Sequence, residues 1–299
     1  MIQNKFFTAE DLGNGVWRVT NCFDSHARMT TFTYLVEGTE RAMVIDTMFG
    51  YGNLKSFCRE LTDKPLILVN THYHGDHAGG NFDFDECWIH ACDIPFLKNM
   101  VDYVADPAQY QAKFYERMRS VALPEYRDSI LPTDFSLPHR FSIWPVYDGD
   151  VFDLGGRRLE VIYVGGHTAG EIVLLDDRTG IAFTGDACNS NTLLNLPGSL
   201  SVEEYYENLK HFKTFQPRIT HLHGGHEDFG PEVIDEGLEL VERVLAGTDD
   251  REESANFGRP CLYGARHRKE GKGREDGGSF NIAYLAAHVK KAPAGPRVL

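Results

Sequence analysis

The decapeptide THYHGDHAGG, residues 71–80, places His72, His74, Asp76 and His77 within six consecutive positions. Side chains of an extended chain alternate, so a strand running into His72 turns the His72 and His74 imidazoles to one side, where both can meet one cation. Gly75 then permits a turn that brings Asp76 and His77 together at a second point. One loop thus offers ligands for two metals, yet a four-coordinate zinc needs more than two donors per ion. Three later segments offer the rest: His167 in VGGHTAGE, Asp186 in FTGDAC and His226 in HGGHED, each at a strand end beside glycines.

The elements that must position these residues are legible as short β-rich runs separated by turn signals. GVWRVT (15–20), TFTYLVEG (31–38), RAMVIDT (41–47) and PLILVNTH (65–72) form a first set, with a helix expected over GNLKSFCREL. A second set comprises WPVYDGDVFDL (144–154), RLEVIYVGG (158–166), EIVLLDD (171–177) and IAFTGD (181–186), followed by a helix from Ser201 and the strand ITHLH. Ser201 and Glu204 have the spacing of a capping box. Between the two β-rich halves, residues 93–139 have helical spacing and many aromatics, among them Tyr103, Tyr110, Phe114, Tyr115 and Tyr126. This insert reads as an extra packed layer, or alternatively as a lid. Glycines and charges of both signs crowd the tail from Gly258, which predicts a loop or exposed hairpin; FNIAYLAAHV then reads as an edge strand or a short helix. GYGNLK (50–55) lacks the third glycine of a nucleotide loop and reads as a turn before a helix.

At 299 residues the chain has room for one elaborated domain or two small ones, the first being the expectation, and its 42% hydrophobic content is that of an ordinary globular protein. No apolar run approaches the roughly 18 residues of a membrane span, and the start has no signal-peptide pattern, so a cytoplasmic location is expected. A net charge of -14 repels phosphate backbones and argues against nucleic acid as a partner. Six scattered cysteines show no CxxC spacing and read as free thiols. The expected partner is a small-molecule substrate, and the reading leaves room for a homo-oligomer.

HxHxDH at 72–77, GHT at 166–168, TGD at 184–186 and GH at 225–226, in that order, resemble the metallo-β-lactamase superfamily over about residues 12–245. The resemblance implies an α/β fold, a four-layer αβ/βα sandwich, here with the helical insert around 93–139. It also implies a first metal held by His72, His74 and His167, a second held by Asp76, His77 and His226, and a bridging Asp186. Asp46 in VIDT resembles a family aspartate that supports the metal loops. His221 and His223 compete with His226 in HLHGGH, but His226 follows the glycine as in the family; the other two read as strand residues. Cys188 reads as a small buried side chain, and His26, His90, His139, His211, His267 and His288 as structural.

Five neutral imidazoles and two carboxylates against two divalent cations leave a charge of about +2, or about +1 with a bridging hydroxide. Such a site attracts a carbonyl or phosphoryl oxygen, and metal binding brings the pKa of water to about 7, which implies a bridging hydroxide as nucleophile. Asp76 and Asp186 are the expected catalytic carboxylates. Zinc suits the donors best, with iron or manganese able to occupy the same geometry. A di-iron redox branch of the family has glutamate where this chain has His74, which favours hydrolysis.

The bridging Asp186 resembles the thioesterase, lactonase and phosphodiesterase branches. Acyl-homoserine lactonases place a tyrosine three residues beyond that aspartate, where this chain has Asn189. Glyoxalase II binds its glutathione through bases of a C-terminal helix; Arg259, Arg266, Arg268, Lys269 and Lys272 lack such a helix and read as a solvated loop. The expected activity is therefore hydrolysis of a small-molecule ester, thioester or lactone. Its alternatives are a phosphodiesterase on the same site, or a mononuclear iron enzyme resembling persulfide dioxygenases.

Overall fold

The structure, a computed structural model, describes residues 1–21, 30–102, 106–121, 127–135, 137–268 and 273–292. Its contacts divide it into two compact units, Met1–Val161 with Leu174–Thr179, and Ile162–Val173 with Gly180–Leu299.

The first unit is built on an eight-stranded sheet whose spatial order follows the chain: β1 (Ile2–Gln3), β2 (Phe7–Gly13), β3 (Val16–Asn21), β4 (Phe32–Glu37), β5 (Ala42–Ile45), β6 (Leu66–Val69), β7 (Glu86–His90) and β8 (Ser142–Val146). Pairing is antiparallel from β1 to β5 and parallel from β5 to β8. Parallel neighbours require crossovers, and the chain supplies helices for them. Helix α1 (Leu54–Leu61) joins β5 to β6. It starts where Asn53 accepts from the Ser56 amide, and it buries Leu54, Phe57 and Cys58. β5 reads AMVI with every residue buried, as a parallel strand covered on both faces should. The β6–β7 crossover holds the one-turn helix α2 (Gly75–Ala78), and the β7–β8 crossover holds α3 (Ile94–Asp102) and α4 (Pro107–Val121).

Those last helices are the predicted insert, and they pack by aromatic contact on their own unit. Phe114 meets Phe135 at 5.4 Å and Tyr51 at 6.2 Å, Tyr110 meets Phe82 at 5.9 Å, and Gln111 Nε2 donates to the Phe135 carbonyl. Tyr51, Ile130 and Phe135 are buried beneath them. Tyr103 and Tyr126 lie outside the described residues.

One predicted strand is two. WPVYDGDVFDL ends as β8 at Val146 and resumes as β9 (Val151–Asp153), because Gly149 takes a φ of +81° and reverses the chain. β8 pairs with β7, whereas β9 pairs antiparallel with β10 (Arg158–Tyr163). β11 (Ile172–Asp176) follows, and its Asp176 carboxylate takes two bonds from the fully buried Arg157 guanidinium, at 2.6 and 2.9 Å.

In the second unit β12 (Ile181–Gly185) runs parallel to β14 (His221–Gly224), which pairs antiparallel with β15 (Asp228–Phe229). Helix α5 (Val202–Lys213) has the predicted capping box: Ser201 Oγ accepts from the Glu204 amide, and Glu204 Oε2 accepts from Ser201 N. Helix α6 (Val233–Ala246) ends on Gly247 in the left-handed region. A second sheet runs in the order β13 (Thr192–Leu193), β18 (Ile282–Tyr284), β17 (Arg259–Tyr263) and β16 (Glu252–Asn256). β16 and β17 form a hairpin, and FNIAYLAAHV gives a strand between two others rather than an edge, followed by a short 3-10 turn at Ala286–His288.

Candidate metal centre

In the first unit the donors sit beyond the carboxyl end of β6, where open α/β sheets place their ligands. His72 and His74 have ring centroids 4.8 Å apart, His72 and His77 are 4.0 Å apart, and Asp76 Oδ2 lies 4.0 Å from His77 Nε2. All four residues are buried or half-buried.

Asp46, just past β5, organises this loop. One carboxylate oxygen accepts from Thr71 N at 2.8 Å, the other from Thr71 Oγ1 and His77 Nδ1, both at 2.8 Å. A carboxylate only accepts, so the His77 proton is on Nδ1 and the lone pair on Nε2. The Thr71 hydroxyl proton is committed to Asp46, so its oxygen accepts from His72 Nδ1 at 3.1 Å, and His72 also presents Nε2 as its lone-pair nitrogen. The reading of Asp46 as a support of the metal loop has this network behind it.

The loop backbone is gripped by residues the sequence reading passed over. Asn70 Nδ2 and Thr47 N donate to the His77 carbonyl, at 3.0 and 2.7 Å, and Asn81 exchanges bonds with Asn70 while accepting from Thr47 Oγ1 at 2.8 Å. All three are buried. Their signal is weak, since Asn and Thr beside a glycine-rich segment ordinarily mark a turn. The glycine pair has a steric cause: a Cβ on Gly79 would stand 2.4 Å from the Gly75 oxygen and 2.7 Å from the Phe49 carbonyl carbon.

In the second unit Asp186 gathers the remaining donors. His167 Nε2 lies 3.3 Å from Asp186 Oδ2 and His226 Nε2 lies 3.3 Å from Oδ1. His167 Nδ1 donates to the Leu193 carbonyl at 2.9 Å, so its Nε2 also carries the lone pair. A lone-pair nitrogen facing a carboxylate oxygen is acceptor against acceptor, an arrangement that calls for a cation or a proton between them. The fully buried Glu171 accepts from Asp186 N at 3.0 Å, and Glu227 Oε1 accepts from Ser190 N and Oγ at 2.7 and 2.6 Å. Neither glutamate figured in the sequence reading.

The competing histidines fall elsewhere. His221 is exposed on β14, and His223 pairs through Nδ1 with Asp228 Oδ1 at 2.9 Å. Cys188 is fully buried, and burial pushes its thiol up to about 12. Asn189 is buried, its amide N–H donating to Thr192 Oγ1 at 2.9 Å. Arg259, Arg266 and Arg268 are exposed; Lys269 and Lys272, like His26, lie outside the described residues.

The donor chemistry of each unit fits a divalent ion, three imidazoles and a carboxylate in the first and two imidazoles and a carboxylate in the second, with His72, His77 and His167 turned so that Nε2 carries the lone pair and Nδ1 is held by the protein. Among the described residues no helix is long and apolar enough to cross a membrane.

The family model described as the metallo-beta-lactamase superfamily matches residues 27–226. Acyl-coenzyme A thioesterase MBLAC2 of Gallus gallus is 27% identical over 253 residues, covering 81% of this chain and 80% of its own. The Homo sapiens protein of the same name is 27% identical over 261 residues, with 81% of each chain covered. A metallo-beta-lactamase from Pontibacter korlensis superposes with a TM-score of 0.56 at 16% identity, covering 79% of this chain and 99% of its own. One from Erythrobacter litoralis, solved with beta mercaptoethanol in the active site, gives 0.55 at 20% identity, covering 81% and 99%. At those identities the structures establish the fold, which is the expected α/β type.

Proposed function

Since the chain belongs to the metallo-β-lactamase superfamily and is a metal-dependent hydrolase, we propose that it hydrolyses the thioester of a small acyl-thiol compound, such as an acyl-coenzyme A, with a pair of divalent ions. His72, His74 and His167 are read as ligands of one ion, Asp76, His77 and His226 as ligands of the other, and Asp186 as shared. The carrying observation is that His72, His77 and His167 each have Nδ1 engaged by the protein, which leaves the lone pair on Nε2, the atom a metal ligand offers. Zinc suits such donors best, ahead of iron or manganese. The thioester is favoured by the relatives, which are named acyl-coenzyme A thioesterases.

Bound ions of this kind polarise the scissile carbonyl and acidify a water to a pKa of about 7. The chain's own part is to aim and to move protons. Asp76, half-buried beside His77, is the carboxylate that takes the proton released on attack and passes it to the departing thiolate. Asp186, fixed at its amide by Glu171, sets a carboxylate oxygen 3.3 Å from each of His167 and His226 Nε2, and His167 is held in turn by the Leu193 carbonyl. Cys188 is no nucleophile, because burial keeps it a thiol. We read the protein as cytoplasmic and as one domain with 93–139 inserted, acting on a small molecule without nucleic acid or membrane; a homo-oligomer is compatible with this.

Metal analysis together with a panel of thioesters, lactones and bis(p-nitrophenyl) phosphate tests the reading. Two divalent ions per chain and chelator-sensitive thioester cleavage are expected. Faster cleavage of the phosphodiester would replace it with a phosphodiesterase, and a single iron with oxygen uptake would replace it with a dioxygenase.

A further inference from the structure

The metal loop carries one large side chain that the reaction above leaves unused: Tyr73, between His72 and His74. Its ring lies flat on Phe96, with centroids 4.6 Å and planes 16° apart, and also meets the His74 imidazole at 4.7 Å. Phe96 belongs to the first turn of α3 and remains 38% exposed, while its neighbour Leu97 is fully buried and anchors the helix. A lone exposed aromatic is unremarkable, but this one continues directly from a candidate metal ligand.

The placement is also built. Asp93, fully buried, accepts from Tyr73 N at 3.2 Å through its side chain and from the Phe96 and Leu97 amides, both at 3.1 Å, through its carbonyl. A single residue therefore ties the start of α3 to the metal loop and sets the two rings against each other. Binding sites for small molecules are lined in this way, by aromatic walls beside a few polar anchors.

We propose that Tyr73 and Phe96 form the wall of an acyl subsite that selects a medium or long apolar acyl chain over acetyl. The inference rests on the thioesterase reading and gives it a substrate class. A chain leaving the scissile carbonyl passes His74 and meets the exposed Phe96 face, where each methylene shields apolar surface on both partners. Full burial is worth up to about fourfold per methylene, so a one-sided wall gives less per carbon but accumulates along the chain.

Titration calorimetry with the non-hydrolysable S-methyl and S-octyl thioethers of coenzyme A, on metal-loaded wild type, Phe96→Ser and Tyr73→Phe, tests this, alongside kcat/KM for acetyl and octanoyl thioesters. Wild type is expected to prefer the octyl analogue by about tenfold or more, Phe96→Ser to lose most of that preference with methyl binding held within about twofold, and Tyr73→Phe, which keeps the ring, to retain it. Equal binding of both analogues by wild type, or equal weakening of both in Phe96→Ser, would overturn the wall while thioester cleavage stands. If no thioester is bound or cleaved, the thioesterase reading fails by itself, and p-nitrophenyl acetate against octanoate decides the wall: a Phe96-dependent preference sustains it, and its absence removes it.

Discussion

His77 Nδ1 donates to Asp46 Oδ2 across 2.8 Å, and Asp46 reaches that point with a φ of +63°. Left-handed backbone at a residue with a Cβ costs on the order of 1–3 kcal/mol and persists only where the surroundings hold it. Here the holders are the Val69 carbonyl on Asp46 N, at 3.0 Å, and the Thr71 amide and hydroxyl on the carboxylate.

Asp46→Asn keeps the shape but exchanges one acceptor oxygen for a donor, which must then face Thr71 or the His77 Nδ1–H. Losing such an outer partner typically costs about 10–100-fold in metal affinity or activity. Metal retained after dialysis and kcat/KM should fall together within that range, while circular dichroism stays that of wild type. Unchanged metal content would remove Asp46 from this role.

Much of this site is legible in the chain because its donors are local. His72, His74, Asp76 and His77 share one loop, and each distant donor marks a strand end with a glycine beside it. Asp46 shows for the same reason, as a lone acid closing an apolar run. Asn70, Asn81, Thr47 and Glu171 do not show, because a buried amide or acid that bonds to backbone has the composition of an ordinary turn; only the fold reveals which carbonyl it meets. The segment of β18 reads as an edge strand or a short helix because its neighbour β13, two residues long, is too short to carry a period. The break between β8 and β9 hinges on the positive φ of Gly149, in an Asp148-Gly149-Asp150 turn signal that the reading of 144–154 as one run passes over.

Gly79→Ala should damage the loop through sterics alone. The new Cβ meets backbone atoms at 2.4 and 2.7 Å, and backbone cannot swing aside as a side chain can. Overpacking of this kind costs about 1–3 kcal/mol. A lower Tm with reduced metal retention is expected; Gly75→Ala, where an added Cβ meets nothing within 4 Å, is the control and should remain near wild type in Tm.

Acid stability has a defined contributor in the second unit. Arg274 beside Asp276 holds that carboxyl down to about 2. The unfolded value is about 3.9, so the folded state binds the proton less readily. The stabilisation is fully present above pH 4 and is lost as pH falls towards 2. Asp276 is 44% exposed, so screening limits the gain to about 1 kcal/mol or less. The Tm difference between wild type and Asp276→Asn should be constant near neutrality and shrink below about pH 4; a gap that widens on acidification would contradict the assignment.

Arg157 and Asp176 form an ion pair in which both side chains are fully buried. Arg157 Nη1 also donates to the Asn14 carbonyl at 2.7 Å and the Glu37 carbonyl at 3.1 Å, so the guanidinium joins β11 to the β2–β3 turn and the end of β4. Removing one partner of a buried pair strands the other charge, at about 3–5 kcal/mol. Asp176→Asn should therefore lower the urea midpoint sharply, and Arg157→Met should do so at least as much because two carbonyls lose their donor as well. The double variant Arg157→Met/Asp176→Leu relieves the stranded charge but still leaves those carbonyls, so it should be less destabilised than the sum of the single changes, yet remain about 1–3 kcal/mol below wild type. A double variant as stable as wild type would mean that the carbonyl bonds contribute nothing; one that matches the simple sum would mean that the two charges are not coupled.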